Sequence, residues 1–439
     1  MAHDMTLGGD GLMDATAAPR TRPRMRRRPL RSPVPFYGIM LFTFVLFAAP
    51  QNFVPPLQEL MLAKLTVGIA MAAYLVNRFG TGRLTVFTPP VRWALVFGAV
   101  AVFSIPLGFW PGGSVNVFLD LLGKSLIVFL LLANVIDTPR RAKLLIGSMI
   151  GWGALVGAYV VWQFGAGMMG PHGERIAGYA SPVAANPNDL ALTLNLLLGL
   201  ALGLLPVLRR RRPRLLVLAA IALLVAGIIV TFSRGGFLTL AVLGIVWTVR
   251  ALRTQGILAL VPVVAATVLM LIVAPPGYLT RLSTILDTET DPTGSAQERW
   301  VMMVAALTQF SERPLLGYGL GNSLHVNVAR GLPANEPHNV YLKVGAEMGL
   351  GGVLSYTVLL GSVFAAARGV RRRLARDRQQ RELAHLAWGV ELALLAFVMG
   401  ALFSPVPYHF YFFYPAGLAV ALATMAGRPA PAPARAAQA

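Results

Sequence analysis

The chain is a succession of apolar runs, most of them 17 to 21 residues long, separated by short loops that fill with arginine at every second turn. Runs of that length suit one architecture above all. A helix of about 20 residues crosses the ~30 Å hydrocarbon core of a bilayer, and within lipid only helices or closed barrels satisfy every backbone polar group. The runs fall at roughly 36–54, 57–76, 93–110, 115–135, 144–164, 189–208, 215–232, 236–249, 257–274, 339–366, 383–403 and 410–426. The expected fold is therefore all-α, a polytopic integral membrane protein with about 12 transmembrane helices. Charged residues make up 13% of the chain, against about 25% in soluble globular proteins.

Basic residues set the orientation, because Lys and Arg collect in loops on the cytoplasmic side. Arg20, Arg22, Arg24, Arg26, Arg27, Arg28 and Arg31 precede the first run. Arg78, Arg83 and Arg92 follow the second, and Arg140, Arg141 and Lys143 the fourth. Arg209 to Arg212 with Arg214, then Arg250 with Arg253, follow the sixth and eighth. A run of basic residues from Arg368 to Arg381 follows the tenth, and Arg428 and Arg435 close the chain. The alternation predicts that both termini are cytoplasmic. It also explains the net charge of +20 without nucleic acid, since the charge is spread over loops and not gathered on one face. Contact with anionic membrane lipids is expected instead.

Residues 1–33 are expected to form a disordered basic cytoplasmic tail, 34–427 the transmembrane domain, and 428–439, rich in Pro and Ala, a second disordered cytoplasmic tail. The chain has no cysteine, so neither disulfide nor thiol chemistry enters.

Few charges remain on the other side. One outer segment, roughly 165–188, contains His172, Glu174, Arg175 and Asn186-Pro187-Asn188-Asp189. The larger one, 275–338, is expected to form a large outer loop long enough to carry short helices. Within it Ser295-Ala296-Gln297-Glu298 has a capping-box pattern. Trp300, Met303, Val304 and Leu307 follow at helical spacing, predicting an amphipathic helix over about 296–310 that Pro314 stops. Its apolar stripe is expected against the membrane or other spans, with Arg299 in its first turns. Gly317-Tyr318-Gly319-Leu320-Gly321 reads as a flexible turn beneath the site. Without a preceding strand it makes a weak phosphate loop. Asp287, Glu289 and Asp291 read as a solvated acidic turn.

Two constellations carry chemistry. Thr231-Phe232-Ser233-Arg234-Gly235-Gly236 joins spans seven and eight. The eighth apolar run, 236–249, is only about 21 Å long at 1.5 Å per residue, so the turn is expected to dip into the outer leaflet. An arginine there is costly unless paired. Its planar fork suits phosphate oxygens, although an arginine at a span end can also snorkel to lipid phosphates. Gly235 and Gly236 would let a ligand approach the backbone. The second constellation, His338-Asn339 followed by Gly349 and Gly352, reads H-N-x9-G-x-x-G. It places a titratable imidazole where a polar loop meets an apolar run.

Other charges lie in the spans. Asp120 with Lys124, and Lys343 with Glu347, are spaced i,i+4 and can neutralise one another. Lys64 can pair with either acid. Glu391, near the inner end of its span, reads as structural, and His325 is a weak site candidate.

Together these residues resemble the O-antigen ligase and O-antigen polymerase-type family of polytopic membrane glycosyltransferases. The resemblance rests on Ser233-Arg234-Gly235-Gly236, on Arg299-Trp300 with Pro314-Leu315-Leu316-Gly317-Tyr318-Gly319, and on His338-Asn339 with Gly349 and Gly352. It implies an enzyme of the bacterial inner membrane with its site facing the periplasm. The donor would be a glycan on undecaprenyl diphosphate and the acceptor lipid A core or another glycan. His338 would be the catalytic base. Arg234 and Arg299 would hold the diphosphate, with Ser233, Gly235, Gly236, Asn339, Glu347 and Arg175 in support. Transfer would be inverting, with neither cofactor nor metal. A repeat-unit polymerase for O-antigen or exopolysaccharide is the alternative within the family. A polysaccharide or lipid transporter, working through the mid-span charges, is the alternative outside it.

Overall fold

The computed structural model describes residues 32–80, 86–168, 186–261, 295–377 and 380–427, with Ile176, Ser181, Val183, Val264, Ala265, Thr267 and Val268. Both terminal tails, Arg175 and the acidic turn at Asp287, Glu289 and Asp291 lie outside the described residues, as does most of the apolar run at 257–274.

Within that range the chain is all-helical. The bundle comprises α1 (Val34–Ala48), α2 (Leu62–Phe79), α3 (Pro89–Ser104), α4 (Pro111–Val117), α5 (Gly123–Val135), α6 (Pro139–Gly165), α7 (Pro187–Leu204), α8 (Arg211–Val230) and α9 (Arg234–Gln255). Two helices of the large loop follow, α10 (Ser295–Glu312) and α11 (Ser323–Ala329). The bundle closes with α12 (Val340–Leu374), α13 (Arg381–Gly400) and α14 (Phe410–Ala426). A five-residue π turn, Phe118–Leu122, joins α4 to α5 into one 25-residue rod. Among the described residues eight helical segments are long and apolar enough to cross a bilayer, and α1, α3 and α14 are shorter apolar helices.

The differences from the sequence reading have local causes. The first span ends at Ala48, not near 54, because Pro50, Pro55 and Pro56 withdraw amide donors. Two 3₁₀ turns fill the gap, and α2 starts at Leu62 after Met61 in left-handed backbone (φ 43°). The eighth span is not short. α9 has 22 residues, about 33 Å at 1.5 Å per residue. It continues past the apolar run to Arg250 and Arg253, whose long stems can cover apolar surface. The depth of the Arg234 turn therefore does not follow from a short helix.

α7 runs through the centre, buried along nearly its whole length. Its back is α13, and small residues set the distance. A Cβ on Gly203 would lie 2.3 Å from Gly389 Cα, and one on Gly199 2.6 Å from Ala393 N. Backbones this close gain dispersion contacts that larger side chains would prevent. α6 and α8 meet the same way where a Cβ on Gly157 would lie 2.7 Å from the Leu223 carbonyl oxygen.

The bundle has two chemically distinct ends. The starts of α7, α9, α12 and α14 meet the end of α13 at one of them. At the other, Lys143 pairs with Glu382 (2.8 Å) and Arg371 with Glu391 (2.6 Å). Arg250 lies 4.5 Å from the Trp388 ring centroid at that same end. Glu391, read from the sequence as structural, is paired with Arg371.

Gly203→Val is expected to force α7 and α13 apart, at a cost of about 1–3 kcal/mol or more, and to lower the melting temperature in detergent. Gly147→Val, where a Cβ meets nothing within 4 Å, should leave it unchanged. Equal effects would show that the contact does not hold the bundle.

Candidate active site

The end of the bundle opposite the basic one gathers the sequence-predicted residues from three directions. Ser233 caps α9. Its hydroxyl accepts from Gly236 N (3.1 Å) and donates to Asn188 Oδ1 (2.9 Å). Asn195 adds a second tie, donating to the Gly236 carbonyl (3.1 Å). The turn is thus buried against the start of α7, and Arg234 leaves it half-buried as the first residue of α9. Packing alone already requires Gly235 and Gly236 to lack a side chain. A Cβ on Gly235 would lie 2.7 Å from Phe403 Cβ, and one on Gly236 2.5 Å from Ala191 Cβ.

His338 is half-buried immediately before α12. Asn339 is the N-cap of that helix, its side chain accepting from Tyr341 N (2.9 Å) and Leu342 N (3.1 Å). Its role is to start the helix that follows the histidine. The loop before His338 is fastened from both sides. Asn327 donates to the Asn335 carbonyl (3.1 Å), and Asn335 donates to Glu298 Oε1 (2.9 Å). Glu298 precedes Arg299 in the first turns of α10, so this bond brings the Arg299 helix to the His338 loop across 37 residues of chain. α10 turns Met302, Ala305, Ala306 and Gln309 inward, while Trp300, Val304 and Leu307 face out. The predicted apolar stripe is therefore directed away from the protein.

The first glycine of the H-N-x9-G-x-x-G pattern, Gly349, breaks α12. Gly349 has φ 60° and ψ −155°, a conformation open to glycine. The break frees backbone groups, and the segment after α10 takes them up. Tyr318 N donates to the Ala346 carbonyl (2.9 Å), Gly319 N to the Glu347 carbonyl (2.7 Å), and Leu350 N to the Pro314 carbonyl (2.7 Å). A Cβ on Gly349 would sit 2.5 Å from the Leu315 carbonyl carbon. The Gly317–Gly321 run is therefore a docked segment and not the flexible turn the sequence suggested. Its far side is also held, by Ser104 on Leu320 N (3.2 Å) and by Ser114 on the Leu320 carbonyl (2.7 Å). Tyr318 lies under Arg313 and Arg330, and its hydroxyl donates to Glu312. That bond, with Arg330, holds the Glu312 carboxyl below its usual range.

Glu347 is fully buried and takes three donors: Gly321 N (2.8 Å), the Ser323 hydroxyl (2.8 Å) and the Tyr408 hydroxyl. Lys343 reaches instead to Glu336 Oε1 and to the Pro405 carbonyl (3.5 Å). The expected Lys343–Glu347 pair thus gives way to separate partners. Lys64 and Lys124 do share Asp120, at 3.6 and 2.6 Å. His325 packs edge-on against Trp110.

The sequence reading missed the segment that joins these parts, Ala401 to His409. Val340 N donates to the Ala401 carbonyl (2.8 Å), Phe403 covers Gly235, Pro405 accepts from Lys343, and Tyr408 donates to Glu347. The signal was present as Ser404, Pro405, Pro407, Tyr408 and His409 between two apolar runs. Burial, reinforced by Lys343 and partly offset by Glu336, pushes the His409 imidazole down to about 4.

The described bundle thus has a polar end that bears Arg234, Arg299 and His338 and is capped by a docked loop. Residues 219–357 match the family model described as O-antigen ligase (Wzy_C). That segment contains Ser233 to Gly236, Arg299, His338, Asn339, Gly349 and Gly352, so this part of the chain is similar to that family. No curated protein matches the chain.

Two outcomes are expected. Glu347→Ala strands three donors, of which the Ser323 and Tyr408 hydroxyls are on buried residues, each buried one at about 1–3 kcal/mol. It should lower thermal stability and loosen the 314–321 segment, measurable as faster amide exchange at Tyr318 and Gly319, with Glu347→Gln intermediate. His409 is neutral when folded and has a reference pKa of 6.5. Its contribution to stability is therefore present above pH 6.5 and lost as pH falls toward about 4. His409→Gln should flatten that part of the stability curve, and an unchanged slope would assign the acid sensitivity elsewhere.

Proposed function

We propose that the protein transfers a glycan from a polyprenyl diphosphate to an acceptor sugar hydroxyl at the periplasmic face, as an O-antigen ligase attaching polymer to lipid A core. The observation that carries this reading is the Asn335–Glu298 bond, which ties the helix bearing Arg299 to the loop bearing His338. The start of α9 with Arg234 is joined to the same end through Phe403.

Chemically, transfer needs little beyond placement. The acceptor oxygen forms a bond to the anomeric carbon, the bond to the diphosphate oxygen breaks, and configuration inverts. His338 takes the hydroxyl proton as the oxygen attacks. Arg234 and Arg299 hold the diphosphate and stabilise the charge that grows on it. Diphosphate is already a competent leaving group, so two guanidinium forks suffice in this scheme. Arg175 remains a supporting candidate from the sequence.

Purified protein supplied with a polyprenyl-diphosphate glycan, an acceptor and EDTA tests the scheme. A general base contributes typically ~10²–10⁴-fold, so His338→Gln should lose detectable transfer while folding normally. Arg234→Lys keeps charge but loses the fork and should be strongly impaired, as should Arg299→Ala. A fully active His338→Gln would leave the histidine a positioning residue at most. Activity lost to EDTA and restored by a divalent cation would move attention to Asp287, Glu289 and Asp291. In a deletion strain, free long polymer without attachment identifies the ligase, and single-repeat products identify the polymerase.

A further inference from the structure

The basic end of the bundle holds a feature that glycan transfer does not use. A cavity of about 590 Å³ opens between α9, α12 and α13. Its polar wall carries Arg250, Arg253, Arg368 and Arg371 against one carboxylate, Glu391. Glu391 is taken by Arg371 at 2.6 Å. Among the described residues no carboxylate lies within ion-pair distance of the other three. Arg250 is half-buried and held in place over the Trp388 ring at 4.5 Å. A guanidinium withdrawn from water without a close counter-anion is costly. Arg250 is half-withdrawn while Arg253 and Arg368 stand exposed at the cavity's rim, and this cluster of positive charge favours an anion with several acceptor oxygens.

The rest of the wall decides what carries that anion. One turn along α9 from Arg250 lies Val246, and opposite are Phe364, Leu392 and Leu395. A phosphate head against the arginines with a hydrocarbon chain along this wall satisfies both halves, which a free phosphate does not. Arg250 is sixteen residues along α9 from Arg234, about 24 Å at 1.5 Å per residue, so the cavity is separate from the transfer site. Basic pockets between transmembrane helices on the cytoplasmic side suit anionic lipid head groups. We propose that this cavity binds the phosphate head group of an anionic phospholipid from the leaflet that meets the basic end, with one acyl chain against the Val246–Leu395 wall.

Full-length protein, delipidated in neutral detergent, is titrated with dioleoylphosphatidylglycerol, with dioleoylphosphatidylcholine and with inorganic phosphate while thermal unfolding is followed. Phosphatidylglycerol should raise the melting temperature saturably, and the other two should not. At about 1 kcal/mol per arginine, Arg250→Gln with Arg368→Gln should raise the half-saturating concentration roughly 30-fold, and exposed Arg253→Gln alone roughly 5-fold. Arg209→Gln with Arg210→Gln, outside the cavity, should not change it. The proposal is overturned if the cavity variants bind phosphatidylglycerol as the unaltered protein does. It is equally overturned if phosphatidylcholine matches phosphatidylglycerol, or if inorganic phosphate alone reproduces the shift. Should the double variant fail to fold, the Arg253→Gln titration decides.

Discussion

The candidate site depends on a helix that is broken on purpose. α12 would otherwise be a 35-residue rod, and a rod offers no backbone groups to a neighbour. At Gly349 the chain turns through left-handed backbone, and the carbonyls of Ala346 and Glu347 and the amide of Leu350 become available. In a membrane protein such groups must be met by protein, and the segment from Pro314 to Gly319 meets them. The large loop is thereby anchored to the bundle by main-chain bonds. Glu347 extends the anchor by accepting from Gly321, Ser323 and Tyr408. Placement of α10, and with it Arg299, follows from that anchor and from the Asn335–Glu298 bond.

Two kinds of glycine therefore shape the molecule. Gly349 supplies a backbone conformation, and Gly203, Gly199 and Gly235 supply absence of volume. The first makes a docking point and the second makes contacts between helices.

Much of the fold was legible because the membrane imposes it. Apolar run length is a one-dimensional property, and it predicted most helices of the described bundle. What sequence obscured was anything decided by a partner distant along the chain. Lys343 and Glu347 are spaced to pair, yet Lys343 finds Glu336 and Glu347 finds Tyr408, 61 residues away. Gly317 to Gly321 looked flexible because glycine composition says nothing of the carbonyls waiting across α12. The eighth span looked short because Arg250 and Arg253 were counted as loop, although a long arginine stem can continue a helix to its wet end. The Ala401–His409 connector went unread since its residues match no motif. Asn188 and the Ser233 turn were both noted, but the bond between them spans 45 residues and no local pattern records it.

The backbone contact between α7 and α13 has a mechanical consequence. Where Gly203 and Gly389 touch, no side chain lies between the helices to rotate, compress or slide. Separating them would open a void along the most buried helix of the protein, and interiors resist voids strongly. The two helices are thus held together as one unit along this seam. A motion that parted α7 from α13 would have to tear this seam, whereas one that moved them together would leave it untouched.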